Sequence, residues 1–214
     1  MFIGVFKDTS TNMGQLRGLQ SLCNVITYNY REVASKIGVP ARNKDIIDVV
    51  TLEKPDVMII AKGNSIDTAT IEECKKHTHV ALWFMDAFIP GHWTSELQDK
   101  IGICHSIFCD KLKAVEEATK INPNTYWVCE GFDSDIEFPH DIPKEHDVSF
   151  IGNVYGSRSN ILQRLGISAL NSFDIHHAID VSASHINLNI CTGNCASDRV
   201  YKIMAAGGFL LTDD

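Results

Sequence analysis

Over the first 130 residues, short apolar runs alternate with longer stretches whose apolar positions recur at helical spacing. Residues 2–6, 25–28, 57–61, 80–84, 106–109 and 125–128 read as strands. Between them, 12–23, 43–52, 67–76, 94–101 and 111–119 read as helices, the first with Leu16, Leu19 and Cys23 on one side. Lys54-Pro55 closes the second helix, because proline cannot continue one. Near-continuous apolar strands separated by helices predict an α/β fold, a doubly wound parallel sheet covered on both faces.

The pattern breaks at residues 138–146, a polar segment carrying Pro139 and Pro143, which reads as a linker. Beyond it a strand pattern ending at Ile151 runs into Gly152-Asn153-Val154-Tyr155-Gly156-Ser157-Arg158, and residues 159–165 form a helix with Ile161, Leu162 and Leu165 on one face. A glycine loop between strand and helix is a common backbone solution for holding phosphate in a parallel sheet. Residues 186–190 read as a further strand. The stretch from Ser197 to Thr212 reads as a polar loop, a short helix, Gly207-Gly208 and an apolar strand. Asp198, Arg199 and Lys202 fall in the first turns of that helix, where free N–H groups and partial positive charge suit a phosphate-bearing ligand. The two glycines are expected to reverse the chain and to let a ligand approach the backbone.

In this order, "DVSFIGNVYGSR", "INLNI" and "SDRVYKIMAAGGFLLT" resemble the donor-sugar half of spore-maturation-type (CgeB-like) glycosyltransferases. Looser matches lie at "MGQLRGLQ", "KPDVMIIAKG", "LWFMD" and "EGFD". The resemblance implies two Rossmann-like parts of the GT-B type: an acceptor-side domain over 1–138, a linker over 139–146 and a nucleotide-sugar-binding domain over 147–214. The chain stops as a strand ends, where that family continues. The second part is therefore expected to be incomplete, and the chain to be a fragment or to cover its edge in a homo-oligomer.

The implied reaction is transfer of a glycosyl group from a nucleotide-diphosphate sugar to an acceptor hydroxyl, with no cofactor. Arg158, Arg199 and Lys202 are the expected ligands of the leaving diphosphate, within a donor site that also takes Gly152, Asn153, Tyr155, Gly156, Ser197 and Asp198. Wider relatives carry a Glu where Lys202 stands, to grip the donor ribose. A lysine cannot accept hydroxyl protons, so Lys202 is expected on phosphate and Asp198 on the ribose. Asp86, following an apolar strand, is the candidate to orient or deprotonate the acceptor; a turn cap before Pro90-Gly91 is the competing role. Arg17, Lys62 and Glu130 are candidates for the acceptor or cleft, Glu130 and Asp133 also for a hinge.

Composition narrows the partners. A net charge of −8 argues against broad binding to nucleic acid or anionic membrane, while leaving a modified nucleobase open as an acceptor. No apolar run approaches the length that spans a bilayer, and the first residues read as a strand rather than a signal peptide. The seven cysteines form no C-x-x-C pair, and Cys191 with Cys195 lacks a second ligand pair. Reduced thiols in a cytoplasmic, metal-independent protein are expected. His77, His79, His176 and His177 read as surface or supporting residues. A rival reading is a module that binds a nucleotide or nucleotide sugar without turnover. A dinucleotide reductase is disfavoured because Lys7-Asp8-Thr9-Ser10, not a G-x-G-x-x-G, follows the first strand.

Overall fold

The computed structural model describes residues 1–191 and 197–213. The chain divides into two compact α/β units, Met1–Cys129 and the residues from Glu130 onward.

The first unit runs β1 (Phe2–Gly4), α1 (Asn12–Gln20), β2 (Thr27–Asn29), α2 (Tyr30–Ile37), α3 (Val39–Glu53), β3 (Val57–Ala61), α4 (Thr68–Cys74), β4 (His79–Phe84), α5 (Ser95–Ile103), β5 (Ser106–Cys109), α6 (Leu112–Thr119) and β6 (Thr125–Trp127). Its six strands are ordered β2-β1-β3-β4-β5-β6, every pair parallel. Successive side chains point to opposite faces. Ile3, Met58, Ile60, Val80, Leu82 and Phe84 therefore join Ile46, Ile71, Leu97 and Ile101 in one core layer, while Phe2 and Ala61 pack with Leu16 in the other. Asp67 and Thr94 cap α4 and α5 by accepting from Thr70 N and Leu97 N.

Two expectations change here. Helix α2 occupies a stretch to which the sequence pattern assigned no element: Asn29 accepts from Glu32 N, and a helix of only two turns offers too few apolar repeats to show in the pattern. Strand β1 ends at Gly4 rather than residue 6, because Val5 N donates to Asn12 Oδ1 at 2.8 Å instead of to a neighbouring strand.

The second unit runs β7 (His146–Ile151), α7 (Ser157–Leu165), β8 (Ala169–Leu170), α8 (Ile175–Ser182), β9 (Ser184–Asn189), α9 (Asp198–Ala205) and β10 (Leu210–Thr212). Its parallel sheet is ordered β10-β9-β7-β8. Ile151, Ala178, Val181, Ile203 and Ala206 fill one face, and Phe150, Leu162, Leu188 and Ile190 the other. β8 and α8 are absent from the sequence reading, β8 because two residues carry no periodicity. The segment read as a linker is tied to this unit: His140 N donates to Ser182 Oγ, and Lys144 Nζ to Ser182 O and Ser184 O.

The architecture is thus two Rossmann-like α/β parts of the GT-B type. Among the described residues, no helix is long and apolar enough to cross a membrane.

Candidate functional site

The carboxyl ends of β7 and β9, with the starts of α7 and α9, bring two arginines together in the second unit. Arg158 is 4% exposed and Arg199 9%. Arg158 Nε donates to Ile190 O (2.9 Å) and Nη1 to Asn153 O (3.1 Å). Arg199 Nε donates to Ile151 O and Nη1 to Asn189 Oδ1, both at 2.8 Å. Both guanidinium groups lie over the Phe150 ring, at 5.6 and 4.8 Å from its centroid, and Arg158 also faces Tyr155 at 4.4 Å. Burial, and then the Arg158 charge beside it, lower the pKa of Arg199. Neither arginine forms an ion pair with a carboxylate among the described residues.

Two like charges held in so dry a place suit an anion better than any other ligand. Each guanidinium has five N–H donors and gives two of them to oxygens of the protein. Neither leaves a fully buried donor unpaired. The remaining donors are available to a bidentate oxyanion.

Gly152 is required by this arrangement. Its φ is +139°, and a Cβ there would lie 2.7 Å from Arg199 Nη2. Gly156, φ +58°, begins α7 without a side-chain cap, and Asn153 and Tyr155 stand exposed on the loop between the glycines. Gly207-Gly208 reverse the chain as expected, but the space beside Gly208 is taken by the protein itself. Gly207 takes φ +71° at the end of α9. A Cβ on Gly208 would lie 2.5 Å from Val181 Cγ1 and 2.9 Å from Asn187 Nδ2. The pair seats the turn against α8 and β9, with protein atoms where a ligand was expected.

Ser197 precedes α9 but does not cap it; its hydroxyl donates to Asn189 Oδ1 at 3.1 Å. The α9 start is met instead by Glu130, whose Oε2 accepts from Asp198 N at 2.9 Å. Lys202 Nζ lies 2.9 Å from Asp198 Oδ2 and 3.9 Å from Glu137 Oε1. Burial works against both charges, yet each raises the other's ionised form: the Asp198 carboxyl stays below its ordinary range and the Lys202 ammonium above. Lys202 and Asp198 are thus paired with each other, so the separate phosphate and ribose roles read from sequence do not correspond to two free side chains.

Several residues were missed. Asn189, 1% exposed, accepts from Arg199 and Ser197 and donates to Cys191 Sγ and Thr212 Oγ1. Asn187 links Ser149 Oγ to Val181 O. Both sit in the quoted "INLNI", where asparagines in an apolar strand were the available signal. His177 on α8 is 9% exposed, not a surface residue. Its buried Nδ1 has no hydrogen-bond partner among the described residues, and burial, with the Lys202 charge, pushes its pKa down to about 4. Asp133-Ser134-Asp135 is a D-x-D tripeptide, which corrects the reading of the sequence as holding none. It forms a turn in which Asp133 Oδ1 accepts from Asp135 N, and no group of three metal-ligating side chains occurs among the described residues. Cys195 of the weighed Cys191/Cys195 pair lies outside the described residues.

In the first unit, Lys62 and Asp86 follow β3 and β4 and form an ion pair. They line a cavity of about 190 Å³ with His92, Thr94, Glu96 and Lys100. Lys62 (φ +64°) and Gly63 (φ +67°) turn the chain sharply, and buried Lys100 fixes that turn by donating to Gly63 O at 2.8 Å and to Glu96 Oε1 at 2.5 Å. Arg17 lies half-buried in α1.

No protein-family model matches the chain, and no curated protein matches it. Among solved structures it is similar to an alpha-glucosyltransferase in complex with UDP and a 13-mer DNA containing an HMU base. The TM-score is 0.54 at 12% identity, over 79% of this chain and 64% of that one. The chain therefore spans just under two thirds of that enzyme's length, and what the two share is the fold of a GT-B glycosyltransferase.

Proposed function

We propose that this chain is a glycosyltransferase that takes its sugar from a nucleotide-diphosphate donor. The observation that carries the reading is the pair of buried guanidinium groups over Phe150, with no carboxylate partner among the described residues. Departure of a nucleoside diphosphate builds negative charge on the β-phosphate. Arg158 and Arg199, fixed by carbonyl and amide oxygens before the ligand arrives, stabilise that charge without reorganisation. The exposed residues 153–156 add backbone N–H groups beside them, the Gly152 N–H being given to Leu170 O.

Asp86 is the acceptor-side base in this reading, with Lys62 holding its carboxylate in place. The reaction proceeds without metal, in a cytoplasm that keeps the thiols reduced; the six cysteines described are all free. Hydroxyl acceptors to try include free sugars and an oligonucleotide bearing an HMU base, the latter prompted by the similar structure. The CgeB-like family is the finer assignment within this reading.

Calorimetry with UDP and other nucleoside diphosphates, followed by product analysis with their sugars, tests the proposal. Saturable binding, turnover that survives chelator, and loss of both in Arg199→Ala are expected. Activity abolished by chelator and restored by manganese would refute metal independence. Binding without any turnover would favour the non-catalytic module.

A further inference from the structure

The opposite ends of the first unit's strands carry a second constellation. A shallow, open depression of about 470 Å³ lies where β3, β4 and β5 begin, lined by Lys54, Asp56, Lys75, His77, Thr78 and His79 together with Pro55 and His105. Strand β3 separates it from Lys62 and Asp86 by five residues, about 16 Å of extended chain.

Several of its residues are fixed by the fold. Lys54 ends α3 in the left-handed region, φ +46°, its own N–H donating to Val50 O. Lys75 Nζ is anchored on Ile103 O. His105 Nδ1 accepts from Val80 N at 3.0 Å, which places the neutral ring's proton on Nε2. That ring stacks on His79 with centroids 4.7 Å apart and planes at 22°, and His79 Nε2 meets Ser106 Oγ at 3.0 Å. Neither Lys54 nor Lys75 forms an ion pair among the described residues. Asp56 is the acidic group of the lining, and the Met1 ammonium beside it offsets its charge.

In a chain of net charge −8, two lysines without carboxylate partners among the described residues concentrate positive potential, and three imidazoles beside them add donors. We propose that this depression binds a phosphate-type oxyanion, at a site distinct from that of Arg158 and Arg199. Lysine ammonium groups bind phosphate as point charges, and imidazole N–H groups add charge-tolerant donors to a tetrahedral acceptor. The oxyanion is a free phosphate or phosphomonoester, or a phosphodiester of a nucleic-acid backbone. The inference does not depend on the donor-site reading.

The test is a ¹H–¹⁵N NMR titration of the full chain with inorganic phosphate and, separately, with a short single-stranded oligonucleotide. The resonances followed are the Thr78 and His79 amides and the His79 and His105 rings. Saturable shifts are expected in the wild type and equally in Arg199→Ala, which leaves this site intact. Lys54→Ala with Lys75→Gln should weaken them about tenfold or more, with β4 amides confirming the fold. Tighter saturation by the oligonucleotide would assign the phosphodiester source, and saturation by phosphate alone the free anion. Absence of shifts at these residues with either probe, or unchanged affinity in the double variant, would overturn the proposal.

Discussion

The two units use the same parallel α/β layering for opposite ends. In the first, the central strands are apolar on both faces, and Ile3, Ile60, Val80 and Leu82 are wholly buried. Some of its buried polar groups are matched: Asn122 Nδ2 donates to Ile101 O and Cys104 O, and Tyr28 donates to Asp45. In the second, the interior carries Ser149, Asn187, Asn189, Arg158, Arg199 and His177, and a smaller apolar core surrounds them. Charged groups so placed are costly unless compensated. Here the arginines are held by backbone oxygens rather than by carboxylates. The larger apolar core lies in the first unit, while the second sets two buried arginines side by side over Phe150.

Four measurements would sharpen or break that contrast, beginning with the largest effect. Leu82→Ala should cost the first unit about 4 kcal/mol through transfer and cavity terms, read from denaturant unfolding; a loss below about 1 kcal/mol would mean the site collapses and the core is looser than described.

The second is a pH effect confined to the second unit. His177 is held near pKa 4 when folded, against about 6.5 when unfolded, so the unfolded state takes the proton first. Stability should be complete above about pH 6.5 and fall by up to about 3 kcal/mol as pH drops towards 4. His177→Gln should flatten that slope in thermal melts; an unchanged slope would shift the cause to the Asp198–Lys202 pair.

Third, Arg199→Ala should weaken nucleoside-diphosphate binding by about 2 kcal/mol, the scale of charge-assisted hydrogen bonds. Unchanged affinity with an intact fold would make Arg199 a structural residue. The smallest effect belongs to the first unit. Thr94→Ala removes the cap on Leu97 N and should cost about 1 kcal/mol, with nucleotide affinity unaltered. A change in that affinity would argue against the contrast between the units.

Much of this was legible along the chain. Apolar runs at β3, β4 and β5 and amphipathic spacing in α5 and α6 gave strands, helices and parallel α/β class, because burial of whole faces leaves a period in the sequence. Arg158, Arg199 and Gly152 were also legible, since a glycine loop and a helix start are local motifs. Local pattern could not show that Lys202 pairs with Asp198, that Glu130 meets the start of α9 from 68 residues away, or that Gly208 is filled by Val181 and Asn187. Nor could it place His77, His79 and His105 around one depression with Lys54 and Lys75. Sequence determined the elements and the residue types, because propensity and burial act over a few neighbouring positions. The tertiary structure alone decided which charges face each other, because ion pairing and desolvation depend on distances that only the packed chain sets.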